Sequence, residues 1–133
     1  MTRLTRVRAG LIGTIWILLL AAIARSQSVD DFDAWMRTID EKNQNVQQSI
    51  VRKDARAAGD DARVLQTTFK LVEDFWIKRA DGADAVDLAK EARARAADVE
   101  RAVADSDFDR AAAQAIKVAE TCTPCHRVHR PLP

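Results

Sequence analysis

Four stretches of this chain repeat an apolar residue every three or four positions, and only short turn-like breaks separate them. That period belongs to helices; a half-buried strand would alternate instead. The first inward row is Phe32, Trp35 with Met36, Ile39, Asn43, Val46 and Ile50. The second is Ala58, Ala62, Leu65, Phe69, Val72 and Trp76, and the third is Val86, Ala89, Ala92, Ala96, Val99 and Val103. The fourth runs Phe108, Ala111, Ala115, Val118, Cys122, Cys125. Composition agrees, since 133 residues hold only four Gly and three Pro while Ala is abundant.

The boundaries can be read from capping chemistry. Ser28 with Asp31 three residues on forms a capping pattern ahead of the first row. Asp54 is the expected cap of the second helix; closure of helix one at Gly59 with a new start at Asp60 is the competing boundary. Ala80-Asp81-Gly82 reads as a turn, and Ser106-Asp107-Phe108-Asp109 as a break followed by a start. Aligning Asp54 with Asp107 puts helices two and four in one phase, a faint internal repeat. Helices of roughly 20–25 residues are about 30–37 Å long. Short breaks between them predict an all-α fold, an antiparallel up-down-up-down four-helix bundle. Such a bundle gathers the start of helix one, the end of helix two and the end of helix four at one end. The inner faces of helices three and four are mostly Ala, which buries little area. The core is therefore underfilled unless the helices pack very closely or something large sits among them.

Residues 1–24 read differently. Arg3, Arg6 and Arg8 precede the uncharged run Leu11–Ile23, and Ala22-Ile23-Ala24 follows the small-x-small cleavage pattern. This order describes a secretory signal peptide, with cleavage after residue 24 or, alternatively, after Ser26. The apolar run is shorter than the ~20 residues that span a bilayer, so no stable membrane anchor is expected after cleavage. The bundle domain is then 27–133, in the periplasm. Basic and acidic side chains nearly balance, 21 against 20, with no basic stripe and no Gly-rich phosphate loop. No nucleic acid partner is indicated.

Both cysteines and both histidines of the chain lie between Cys122 and His129. Cys122-Thr123-Pro124-Cys125-His126 is C-x-x-C-H, the attachment pattern of c-type haem. Two thiols at this spacing can each add to a porphyrin vinyl group, and the next residue offers its imidazole to the iron. Three other chemistries use such residues: a redox dithiol, a small-loop disulfide, and a zinc site. A dithiol usually follows a strand, and a zinc site usually draws its second ligand pair from a distant segment. His129, one helical turn beyond His126, cannot easily reach the opposite face of a haem held by His126 and reads as a surface or neighbouring histidine. Pro124 implies a kink or fraying inside helix four, and Pro131 and Pro133 end that helix.

An exported four-helix bundle with Cys122-Thr-Pro-Cys125-His126-Arg127-Val128-His129-Arg130 near its end resembles the cytochrome c′ family (class II c-type cytochromes), including its methionine-ligated low-spin members. His129 stands where the family usually has Tyr, and Arg130 matches the family's basic position. The resemblance implies one covalently attached haem c, held by Cys122 and Cys125, with His126 as proximal iron ligand. It places the sixth iron position against helix one, where Met36 is the expected distal ligand. Phe32, Trp35, Phe75 and Trp76 are the expected haem pocket, because topology gathers them at the same end. Arg37 and Arg130 are candidates for the haem carboxylates. The expected function is a single-electron carrier without substrate turnover, not an enzyme, that serves redox partner proteins. Two alternatives are a five-coordinate, gas-binding cytochrome c′-like protein and a haemless helical binding protein with a Cys pair. The resemblance also admits a homodimer through helices one and two.

Overall fold

The computed structural model describes residues 28–130. The expected signal peptide, and the helix stop at Pro131 and Pro133, lie outside those residues. Five helices follow in order: α1 Val29–Val51, α2 Ala55–Ile77, α3 Ala83–Ala104, α4 Phe108–Glu120 and α5 Cys122–His129. No strand occurs among the described residues. α1 packs on α2, α2 on α3, α3 on α4, and α4 back on α1. With short connections, that circuit of neighbours is the antiparallel four-helix bundle the periodicity predicts. No helix among the described residues is long and apolar enough to cross a membrane.

The starts follow the expected chemistry. Ser28 Oγ accepts the Asp31 N–H at 3.1 Å while the Asp31 carboxylate accepts the Ser28 N–H at 2.9 Å, a complete capping box. Asp54 caps α2 by accepting the Ala57 N–H at 3.0 Å, so the boundary falls at Asp54 and not at Gly59–Asp60. Asp107, one residue later than Ser106, caps α4 through the Arg110 N–H at 3.0 Å.

The fourth rod is where expectation and structure differ. It is not one helix but two, divided at Thr121. Pro124 supplies the reason. In a continuous helix its ring would crowd the Glu120 carbonyl and leave that carbonyl without a donor. α4 therefore ends at Glu120, the Thr121 hydroxyl donates to the Val118 carbonyl at 2.7 Å, and Pro124 falls in the first turn of α5, where no intrahelical N–H bond is required.

Every residue of the second and third inward rows is buried. Toward the α2 start, Ala58, Ala62, Ala96, Ala102 and Ala111 are all fully enclosed at 0 % exposure, so only small side chains separate the helices there. A Cβ built on Gly59 would lie 3.6 Å from Val103, an ordinary contact across the α2–α3 crossing. The opposite end is built from rings. Phe32 of α1 stacks 4.5 Å from Phe75 and 5.9 Å from Trp76 of α2, centroid to centroid, and Trp35 lies 6.3 Å from both Phe32 and Phe75.

Candidate functional site

Close packing of small residues serves only one end of the bundle. Toward the ring-lined end all four rods line a cavity of about 720 Å³. Phe32, Met36, Ile39, Asp40 and Asn43 of α1 line it, with Phe69 and Val72 of α2 and Ala85, Leu88 and Ala89 of α3. The last rod contributes Thr121, Cys122, Cys125, His126, His129 and Arg130. The volume lies within the range of small-molecule and cofactor sites, about 300–1,000 Å³. Mostly apolar walls with a few polar groups are also the usual composition of such sites.

The structure brings together most of the residues the sequence singled out. Phe32, Met36, Cys122, Cys125, His126 and Arg130 share the wall. Trp35, Phe75 and Trp76 do not. Phe75 and Trp76, at 0 % and 2 % exposure, are spent on the ring cluster that plugs the bundle end, and Trp35 packs against the edge of that cluster. Phe69, Val72, Leu88, Asp40 and Asn43 take the wall positions instead. Arg37 reaches the mouth of the cavity but is paired with Asp33 at 2.9 Å.

Local folding explains the placement of the three C-x-x-C-H residues. Cys122 begins α5, so Cys125 sits one turn on and on the same face, with His126 beside it. Both cysteines are free thiols, half-buried. Burial pushes both thiols above their ordinary range, with Asp40 adding to the effect at Cys122 and Asp84 at Cys125. Burial, then the charge of Arg130, lowers the pKa of His126, which favours the neutral ring with its nitrogen lone pair. Across the wall, the buried Asn43 Oδ1 has no hydrogen-bond partner, a polar atom left for whatever fills the cavity. No three His, Cys, Asp or Glu side chains among the described residues surround a common point suited to a metal ion.

His129 lies at the rim and is mostly covered, its side chain 8 % exposed. Its Nε2 is 2.9 Å from Asp84 Oδ1. A carboxylate oxygen only accepts, so Nε2 carries the proton. The imidazole also packs 4.4 Å from Trp76, centroid to centroid.

The cavity's volume and its reactive side chains leave room for a bound small molecule or cofactor. The site offers two thiols and an imidazole on one short helix, a thioether on α1, and apolar walls between. Compared with family models, curated proteins and solved structures, the chain matches none.

Proposed function

We propose that this chain is an exported monohaem c-type cytochrome that carries single electrons between redox partner proteins, similar to the cytochrome c′ family. The observation that supports the reading is the convergence of C-x-x-C-H and Met36 on one cavity walled by all four helices. Cys122 and Cys125 would hold haem c covalently, His126 would serve as proximal ligand and Met36 as distal ligand. Haem supplies a one-electron iron couple, and a His–Met pair gives it a high potential relative to weaker axial donors.

The protein's own residues do the rest. Phe32, Ile39, Phe69, Val72 and Leu88 make much of the cavity wall apolar, which favours the less charged state of any redox centre held against them. Arg130 is the cation at the cavity left for carboxylates of the group, since Arg37 is already paired with Asp33. Met36 sits among partly buried residues packed on the core, so its thioether is held rather than free in solution. Export to the periplasm belongs to the same proposal, since c-type attachment is carried out on exported chains.

The test is expression of the full chain with a c-type maturation system, followed by a haem stain on a denaturing gel and absorption spectra in both oxidation states. A stained band with a low-spin spectrum that Met36→Ala converts to high spin is the expected result. A high-spin reduced protein that binds carbon monoxide rapidly would replace Met36 ligation with the open, gas-binding reading. A colourless band of mature length would sink the haem reading and leave a helical binding protein with a Cys pair.

A further inference from the structure

α5 carries the whole C-x-x-C-H set, yet little in it explains why it stays on the bundle. It spans eight residues, none of them fully buried, and Thr121 gives its start no side-chain cap. A lone helix this short is not stable in water. The packing of α5 against α3 and α4 must therefore come from a few side chains. Cys122 and Cys125 are half-buried and offer small apolar contacts. His129 offers more. Its ring lies against Trp76, which is itself 2 % exposed and fixed by Phe32 and Phe75. Its Nε2 bonds to Asp84 in the first turn of α3, 45 residues away in sequence. One side chain thus ties the end of α5 to both α2 and α3.

We propose that His129 is a positioning residue, a clamp from α5 onto Trp76 and Asp84 that holds Cys122, Cys125 and His126 toward the cavity before the cofactor is attached. The inference rests on the reading of those three residues as the attachment set. His129 follows His126 by about one helical turn. Fixing it therefore sets the rotation of α5 about its own axis, and with it the face on which the thiols lie. The bond joins a covered imidazole to a half-exposed carboxylate, and a charge-assisted contact exceeds a neutral one about twofold before solvent screening on the Asp84 side. No substrate or cofactor contact is required of His129; it acts through the helix.

The test uses the full mature chain, unloaded and with reduced thiols. Alkylation of Cys122 and Cys125 by iodoacetamide at neutral pH is followed by mass spectrometry, beside thermal melting by circular dichroism. His129→Ala should raise the alkylation rate about tenfold with little change in melting, because α5 can detach while the buried rows stay intact. His129→Gln, which still donates to Asp84 but lacks the ring, should recover part of the protection. Asp84→Asn alters a half-exposed side chain and leaves the fold secure; it should raise the rate about threefold. Unchanged alkylation in both His129→Ala and Asp84→Asn overturns the clamp. So does a rise that only tracks a fall in melting temperature. The haem stain of the unaltered chain is scored separately, so failure of the attachment reading is told apart from failure of the clamp.

Discussion

At the scale of single residues, two glycines on the same helix pair should respond oppositely to one methyl group. A Cβ on Gly82 would sit 2.7 Å from the Trp76 carbonyl oxygen and 2.9 Å from its indole ring. Neither neighbour can give way, since one is backbone and the other is locked in the ring cluster. Gly82→Ala should therefore destabilise the chain by about 1–3 kcal/mol, the usual result of overpacking. Gly59 lies within α2, and its added Cβ would meet Val103 at 3.6 Å, an ordinary contact. Gly59→Ala should stabilise by about 0.5–1 kcal/mol through helix propensity. Urea midpoints of the two variants check both signs. The thiols make a second prediction at this scale. Burial raises both thiol pKa values in the folded chain, so the folded state holds those protons more tightly than the unfolded state. The associated stability is full below the ordinary thiol pKa and is lost as pH rises through it and on to the folded value. Alkylation of the unloaded chain should accordingly show a rate midpoint at higher pH than free cysteine, and denaturant should return it to the ordinary value.

At the scale of elements, the two connections that precede α2 and α4 share one design. Lys53 and Ser106 take positive φ, 56° and 59°. Around the first, the Lys53 N–H donates to the Ile50 carbonyl and the Asp54 N–H to the Ser49 carbonyl, each at 2.9 Å. Around the second, the Ser106 N–H donates to Val103 at 3.0 Å and the Asp107 N–H to Ala102 at 2.8 Å. Both are Schellman turns, and in both the residue that closes one helix is the Asp that caps the next. The faint repeat that aligns Asp54 with Asp107 has this physical content. A left-handed conformation costs a residue with a Cβ about 1–2 kcal/mol, so Ser106→Gly should raise stability by about 0.5–1 kcal/mol after the glycine's greater unfolded freedom is subtracted. A shift in urea midpoint without a change in slope is the expected signature. The same connections show what was legible in sequence. Caps and inward rows are local, so Ser28 and the buried alanines could be read directly, while Asp54 is favoured over Gly59–Asp60 only because it gives helices of similar length. The division of the last rod at Thr121 was readable only as a kink at Pro124, because its position depends on which carbonyl the proline ring would strike. The contact of His129 with Asp84 and Trp76 could not be read at all, since it joins three elements whose relative rotation no local pattern encodes. For the same reason the aromatics were expected in the cavity wall. Period puts Trp76 inside, but only packing decides that Phe32 and Phe75 enclose it while Phe69 and Leu88 face the space.

At the scale of the whole molecule, the bundle has two ends built on opposite principles. Its Ala rows draw the helices together where α2 begins and α3 ends, and the same small side chains leave room where α1 begins and α4 ends. Ala96 and Ala89 test this division, since they lie on one face of α3 two turns apart, at 0 % and 4 % exposure. Ala96 meets helices already in contact, while Ala89 lines the cavity. Ala96→Leu should destabilise the unloaded chain by about 1–3 kcal/mol, because Ala96 is already fully enclosed and the added carbons would overpack it. Ala89→Leu should leave the unloaded chain unharmed or make it more stable, because the added carbons gain apolar contacts in space that is otherwise empty of protein atoms. Under the proposed function, the same substitution should sharply lower the yield of haem-stained protein, because the wall now occupies part of the volume the cofactor needs. Haem stain should thus fall without a fall in melting temperature for Ala89→Leu, whereas Ala96→Leu lowers the melting temperature. If Ala89→Leu loads as well as the unaltered chain, the cavity walled by Met36, Cys122, Cys125 and His126 is not where the cofactor sits.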